Sequence, residues 1–199
     1  MNIHQRNITS IYHLATLDEQ QRGLNWYPNA YAIAHELSEH YDITIAQAIG
    51  VMAALSPRNR WSRNIDDSQS LIAAYVAGGA EQAMLTKVCT FTANKTKAVK
   101  ILESGLTDIS SALTILSGPK LKEFASCIAG LSDVCIDGHA FCIWNGGRTS
   151  LADVPAIGVK LRRQIKADYV AAADQLGVTP AACQAVTWVA WRRIHKIKN

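Results

Sequence analysis

Thr44-Ile-Ala-Gln-Ala-Ile-Gly-Val-Met-Ala-Ala-Leu-Ser-Pro-Arg-Asn-Arg-Trp-Ser-Arg-Asn64 decides the fold class. Thr44 can cap a helix whose body, Ile45 to Leu55, is apolar on nearly every side, so that helix is expected at the centre of a helical core. It must end at Ser56, because Pro57 disfavours helical geometry in the residue before it and has no N–H to donate. The polar loop from Ser56 to Asn64 therefore follows a buried helix end. It carries Arg58, Arg60 and Arg63 within six residues.

Helix punctuation recurs outward from this stretch. Upstream, Pro28 and Asn29 open a segment in which Ala30, Ile33, Ala34 and Leu37 repeat at i, i+3, i+4 and i+7. Downstream, Asp66 and Asp67 bring charges suited to a first turn, and Leu71, Ile72 and Tyr75 form an apolar face that Gly78-Gly79 ends. Asn94 to Glu103 carries Ala98, Ile101 and Leu102 on one side, and Asp108 or Ser110 starts a brief helix through Ile115. Leu116-Ser-Gly-Pro119 is a tight turn between two short helices, with Gly118 supplying unusual dihedrals and Pro119 suiting a first helical position. Val134 to Trp144 begins extended and turns helical, with Asp137 placed as its cap and Gly146-Gly147 as its end. Lys160 to Leu176 is a long amphipathic helix stopped by Gly177, and Thr179-Pro180 opens a last helix to about Lys196. Sustained period-two alternation is nowhere found, so the class is all-α. One unit over 1–199 is expected, with a hairpin-containing core at 45–145 and the flanks 1–44 and 146–199 packing together.

The chain's 199 residues are 49% hydrophobic and 18% charged, enough to bury a full core. No apolar run approaches the ~20 residues of a membrane span, and Met1 to Gln5 leads into polar sequence rather than a leader's apolar region. A cytoplasmic protein, in a bacterial or phage-infected cell, is expected. The five cysteines, Cys89, Cys127, Cys135, Cys142 and Cys183, are scattered without a C-x-x-C pair, which reads as buried free thiols rather than a metal site. Lys and Arg number 20 against 16 acids, a net +4, and the excess is clustered. Besides the arginine loop there are Lys95, Lys97 and Lys100, and Arg192, Arg193, His195, Lys196 and Lys198. Each group alone reads as a solvated face; together they point to nucleic-acid phosphates.

The buried helix ending in Leu55-Ser56, the lysine-bearing helix at 94–102, the Leu116-Ser-Gly hairpin and Ile136-Asp-Gly-His139 occur in an order that resembles the helix-hairpin-helix DNA glycosylase superfamily, of the endonuclease III and alkyladenine glycosylase type. The likeness covers roughly residues 45–145. It implies a compact multi-helix glycosylase-like fold, DNA as partner, and an N-glycosylase that excises a modified base after flipping it from the stack. In that family a helix end wedges into DNA, a hairpin with an L-P-G-x-G signature binds phosphate, and an aspartate in V-D-T-H serves catalysis. The chain departs from the pattern in three places: Lys120 replaces the second hairpin glycine, the hairpin-to-aspartate segment is shorter than in many members, and no four-cysteine cluster follows. No iron–sulfur cluster, other cofactor or metal is therefore expected.

The resemblance implies Asp137 and Lys122 as catalytic residues. A carboxylate beside the anomeric carbon stabilises the sugar cation formed as an N-glycosidic bond breaks, but Asp before Gly at a helix start is also an ordinary cap. Lys122 aligns with the Schiff-base lysine of members that also cleave abasic sites, or it is a surface lysine contacting phosphate. The implied DNA-binding set is Arg58, Asn59, Arg60, Trp61, Arg63, Asn64, Lys95, Gly118, Lys120 and His139. Within it Asn64 caps or packs rather than touching a base, and His139 bonds internally. Val154-Pro-Ala-Ile-Gly158 before Lys160 reads as a second hairpin-like stretch or as common loop chemistry. Two rivals remain open: a phage-type transferase of the same fold that hypermodifies thymine, and a non-catalytic helix-hairpin-helix DNA-binding protein.

Overall fold

The computed structural model describes residues 1–150 and 152–197. Among them are eleven helices and no strand: α1 (Ile3–His13), α2 (Leu17–Leu24), α3 (Trp26–Tyr41), α4 (Ile45–Leu55), α5 (Trp61–Leu85), α6 (Thr92–Glu103), α7 (Ile109–Ile115), α8 (Pro119–Ile128), α9 (Gly138–Asn145), α10 (Val159–Leu176) and α11 (Pro180–Ile194). The protein is all-α, as its helical spacing predicts. None of these helices is long and apolar enough to cross a membrane.

The chain forms two compact units, one of Asn29–Ala129 and one joining Met1–Pro28 to Gly130–Asn199. In the 29–129 unit α4 is central, with α5, α6, α7 and α8 packed on it. Every residue from Ala46 to Leu55 is buried. Each fully buried Ile, Val, Met or Leu there contributes roughly 1.5–3 kcal/mol of transfer free energy. Its start is fixed by a reciprocal cap: Thr44 Oγ1 accepts from the Gln47 N–H at 3.1 Å, and Gln47 Oε1 accepts from the Thr44 N–H at 2.9 Å. The Gln47 amide then donates to the Leu102 carbonyl at 2.8 Å, tying α4 to α6.

The other unit gathers α1, α2, α9, α10 and α11 around Ile8, Ile136, Phe141, Ile143, Trp144, Ile165, Tyr169 and Val186. Residues 130–145, expected with the hairpin core, belong here instead. The reason is the apolar face of α9, whose Phe141, Ile143 and Trp144 are buried with residues of α1, α10 and α11. Gly23 lets α2 approach α11 closely, since a Cβ there would stand 2.4 Å from Val186 Cα.

Three helix boundaries differ from expectation. α3 starts at Trp26, so Pro28 lies inside its first turn, where a missing N–H costs nothing. α5 starts at Trp61 rather than Asp66, because the turn closed by the Asn59 N–H on the Ser56 carbonyl, 3.2 Å, is complete before Arg60 takes the cap position. Gly78-Gly79 breaks α5 as predicted, with Gly79 at φ 67°, yet a further helical stretch follows to Leu85.

Candidate functional site

The Ser56–Asn64 turn grows directly from the buried end of α4. Ser56 Oγ donates back to the Ala53 carbonyl at 2.9 Å, and Arg58 takes a left-handed conformation with φ 57°. An L-residue pays about 1–2 kcal/mol for that geometry, so its surroundings must impose it. Arg58, Arg60 and Arg63 are exposed, and Arg58 Cζ lies 5.2 Å from the centre of the Phe91 ring, a cation–π contact. Trp61, half-buried at the first position of α5, meets Phe124 of α8 edge-on with ring centres 6.2 Å apart. The arginine turn is thereby joined to the hairpin of α7 and α8.

Within the hairpin, Gly118 precedes Pro119 at φ 85°. A Cβ there would meet nothing within 4 Å, so the backbone angle and not crowding requires glycine. Lys120 and Lys122 are both exposed on α8, with Lys120 one turn before Phe124 on the same side of the helix. Burial or a neighbouring cation such as Lys120 promotes an amine nucleophile; Lys122 has no burial, which fits its phosphate-contacting alternative.

Two residues of the expected DNA-contacting set are engaged within the protein. Asn64 is 1% exposed and donates to the Met52 carbonyl at 3.1 Å, because it stands on the side of α5 that packs against α4. Lys95 donates to the Met84 carbonyl at 2.6 Å and to the Thr86 carbonyl, which binds it to the carbonyl end of α5. Burial holds its ammonium below the usual lysine range. Asn59 is half-buried and turned inward, its amide donating to Asp67 Oδ2 at 2.8 Å.

Asp67 is a residue whose part in this site the sequence reading missed. It is 8% exposed, and its Oδ2 also accepts the Cys89 N–H at 2.8 Å, with Arg63 Nε 3.9 Å away. Around it Asn59 Oδ1, Asn64 Oδ1 and Ser68 Oγ are buried without a hydrogen-bond partner. Each such atom costs about 1–3 kcal/mol.

Asp137 and His139 belong to the other unit, at the start of α9. Asp137 is half-buried and caps the helix, Oδ1 accepting the Ala140 N–H at 2.8 Å. α10 holds the backbone on both sides of it. Arg162 Nη1 donates to the Ile136 carbonyl at 3.0 Å, and the Tyr169 hydroxyl lies 3.4 Å from the Ala140 carbonyl. Burial pushes the Tyr169 phenol well above its usual range, helped by the nearby Cys183 thiol and the Asp137 carboxylate. His139 is half-buried; burial first, then the charges of Arg148 and His139, hold the His195 imidazole below its ordinary value.

The C-terminal cations are divided. Arg193 is committed to Glu19 at 2.7 Å and the Leu14 carbonyl at 2.8 Å, while Arg192 stacks 4.4 Å from the Trp188 ring centre. Lys198 lies outside the described residues. In the second hairpin-like stretch Gly158 caps α10 at φ −69°, an ordinary angle unlike that of Gly118. Four of the five cysteines are buried, and burial pushes the Cys183 thiol up to about 12. Among the described residues no three His, Cys, Asp or Glu side chains are grouped to hold a metal ion.

No curated protein and no solved structure matches the chain. The pattern of a family of unknown function, DUF7178, matches residues 2–195, and the chain belongs to that family.

Proposed function

We propose that the chain is a DNA base-processing enzyme, an N-glycosylase in which the arginine turn and the hairpin grip the phosphodiester backbone and Asp137 assists cleavage of the glycosidic bond. One observation carries the reading: the Trp61–Phe124 contact makes the arginine turn and the Gly118 hairpin neighbours in one unit. Two basic elements far apart in sequence then act on one backbone, as flipping a nucleotide requires. Arg58, Arg60 and Arg63 on the turn and Lys120 and Lys122 on the hairpin supply the positive charge. Trp61 supplies an aromatic surface at its centre.

Bond cleavage builds positive charge on the sugar, and a carboxylate fixed beforehand stabilises it without reorganising. Asp137 is fixed in this sense, with one oxygen on the Ala140 N–H and its neighbours' carbonyls held by Arg162 and Tyr169. Its second oxygen serves the sugar. Exposed Lys122 contacts phosphate, so excision proceeds without a lyase step.

The test is Asp137→Asn, since asparagine caps a helix about as well as aspartate and the fold should survive. Release of free base from duplexes carrying modified bases should fall about a hundredfold or more, with DNA affinity kept. Absence of base release by either protein across the panel would reject excision. Altered nucleoside mass without base loss would instead support the thymine-modifying transferase. The cap bond of Asp137 favours one further reading, a DNA-binding protein without chemistry, which would show equal DNA affinity in both proteins and no product.

A further inference from the structure

We propose that Asp67 is the positioning residue of the arginine turn, presetting Arg58 for a phosphodiester of the nucleic-acid backbone; the choice of ligand rests on the function proposed above. Arg58 has two supports, and a single carboxylate oxygen holds both. On one side Asp67 Oδ2 accepts from Asn59 Nδ2 at 2.8 Å, which fixes the residue next to Arg58 in the turn. On the other it accepts from the Cys89 N–H at 2.8 Å, which fixes the segment that presents Phe91 beneath the Arg58 guanidinium. Both bonds run to a mostly buried carboxylate oxygen, the strong class of hydrogen-bond acceptor in proteins.

The conformation of Arg58 shows why such a clamp is needed. A left-handed arginine on an exposed turn reverts to ordinary backbone geometry unless its surroundings over-determine it. Phe91 is itself 52% exposed, so ring and guanidinium give each other little shelter and gain order only from the segments behind them. An ordered, exposed guanidinium has already lost the rotamer freedom that binding would otherwise take away.

The sign of the effect separates this role from simple electrostatics. Asp67→Asn removes a negative charge near the turn, which by charge alone would tighten binding to DNA. Positioning predicts the reverse: affinity for a short duplex oligonucleotide falls about fivefold, and falls no further when Asp67→Asn is added to Arg58→Ala. Arg58→Ala alone lowers the salt-dependence slope by about 1. In the free protein, the ring-shifted side-chain NMR signals of Arg58 over Phe91 move to unstructured positions in Asp67→Asn. Should that variant not fold, Asn59→Ala cuts the turn from the carboxylate and is read the same way.

Tighter DNA binding by Asp67→Asn, an equal loss in both backgrounds, or unmoved Arg58 signals would overturn the proposal. If instead Arg58→Ala leaves affinity and salt slope unchanged while Asp67→Asn still frees the Arg58 signals, the clamp stands and the nucleic-acid reading falls.

Discussion

Asp168 and Asp67 are both carboxylates on the inward face of a helix, 5% and 8% exposed, in opposite surroundings. Asp168, in the unit formed by the two ends of the chain, accepts from Trp144 Nε1 at 2.8 Å, Asn2 Nδ2 at 2.7 Å and Gln5 Nε2 at 3.0 Å. Three neutral donors, from α1, its capping residue and α9, thus converge on α10. The same corner is closed by His4, stacked 3.8 Å from the Trp144 ring, and by Asn7 donating to the Trp144 carbonyl. Asp67 ties down a turn, while three oxygens near it go without partners and an arginine of that turn is left-handed. The first carboxylate serves cohesion. The second stands where the fold accepts cost, and costs of that kind collect at functional sites.

The largest expected effect breaks the cohesive side of the comparison. Asp168→Ala strands the buried Trp144 indole N–H and takes the acceptor from the exposed Asn2 and half-buried Gln5 amides, and should remove about 3 kcal/mol of stability. Urea unfolding followed by circular dichroism measures it; a loss below about 1 kcal/mol would mean that the three donors find water instead.

A smaller effect is set by pH. Burial alone would raise the Glu19 carboxyl, but bonds from Arg193 and Thr16 outweigh it and hold it below the usual carboxylate range. A lowered folded value means stability present at neutral pH and lost as pH falls through that value. Glu19→Gln should cost up to about 1 kcal/mol at pH 7, since half of Arg193 faces solvent, and progressively less as pH falls below the usual carboxylate range. Unfolding midpoints of both proteins across that range should converge on the acid side; parallel curves would contradict the charge role of the pair.

Local chemistry made much of the fold legible. Thr44 with Gln47, Asp108, Gly118-Pro119, Asp137, Gly177 and Thr179-Pro180 punctuate the helices where their side chains predict, because a cap needs only neighbours in sequence. The exposed arginines and hairpin lysines were legible for the same reason. Asp67 and Asp168 were not. Asn64, Asp67, Ser68 and Leu71 repeat at i, i+3, i+4 and i+7, as do Ile165, Asp168, Tyr169 and Ala172, and all eight are buried. A search for apolar stripes passes over a stripe whose members are polar, and so misses the start of α5. Nor does any spacing rule announce that the Cys89 N–H or the Trp144 indole will meet a given carboxylate. The partners of Lys95 were illegible on the same account, since the carbonyls that hold it are supplied by the end of another helix.

The smallest effect sharpens the other side of the comparison. Ser68 is fully buried and its hydroxyl has no hydrogen-bond partner, so it carries the desolvation cost of a polar group without the return. Ser68→Ala removes that oxygen from the packed side of α5 and replaces serine by the better helix former. The protein should gain about 0.5–1 kcal/mol, an inversion of the usual outcome for a core substitution. Differential scanning calorimetry reads it as a raised Tm. If the orphan oxygens near Asp67 are a cost of shaping the arginine turn and not part of its contacts, DNA affinity stays at the wild-type value in the same variant. A lowered Tm would mean that the hydroxyl is satisfied in solution, and the contrast between the two carboxylates would then rest on Arg58 alone.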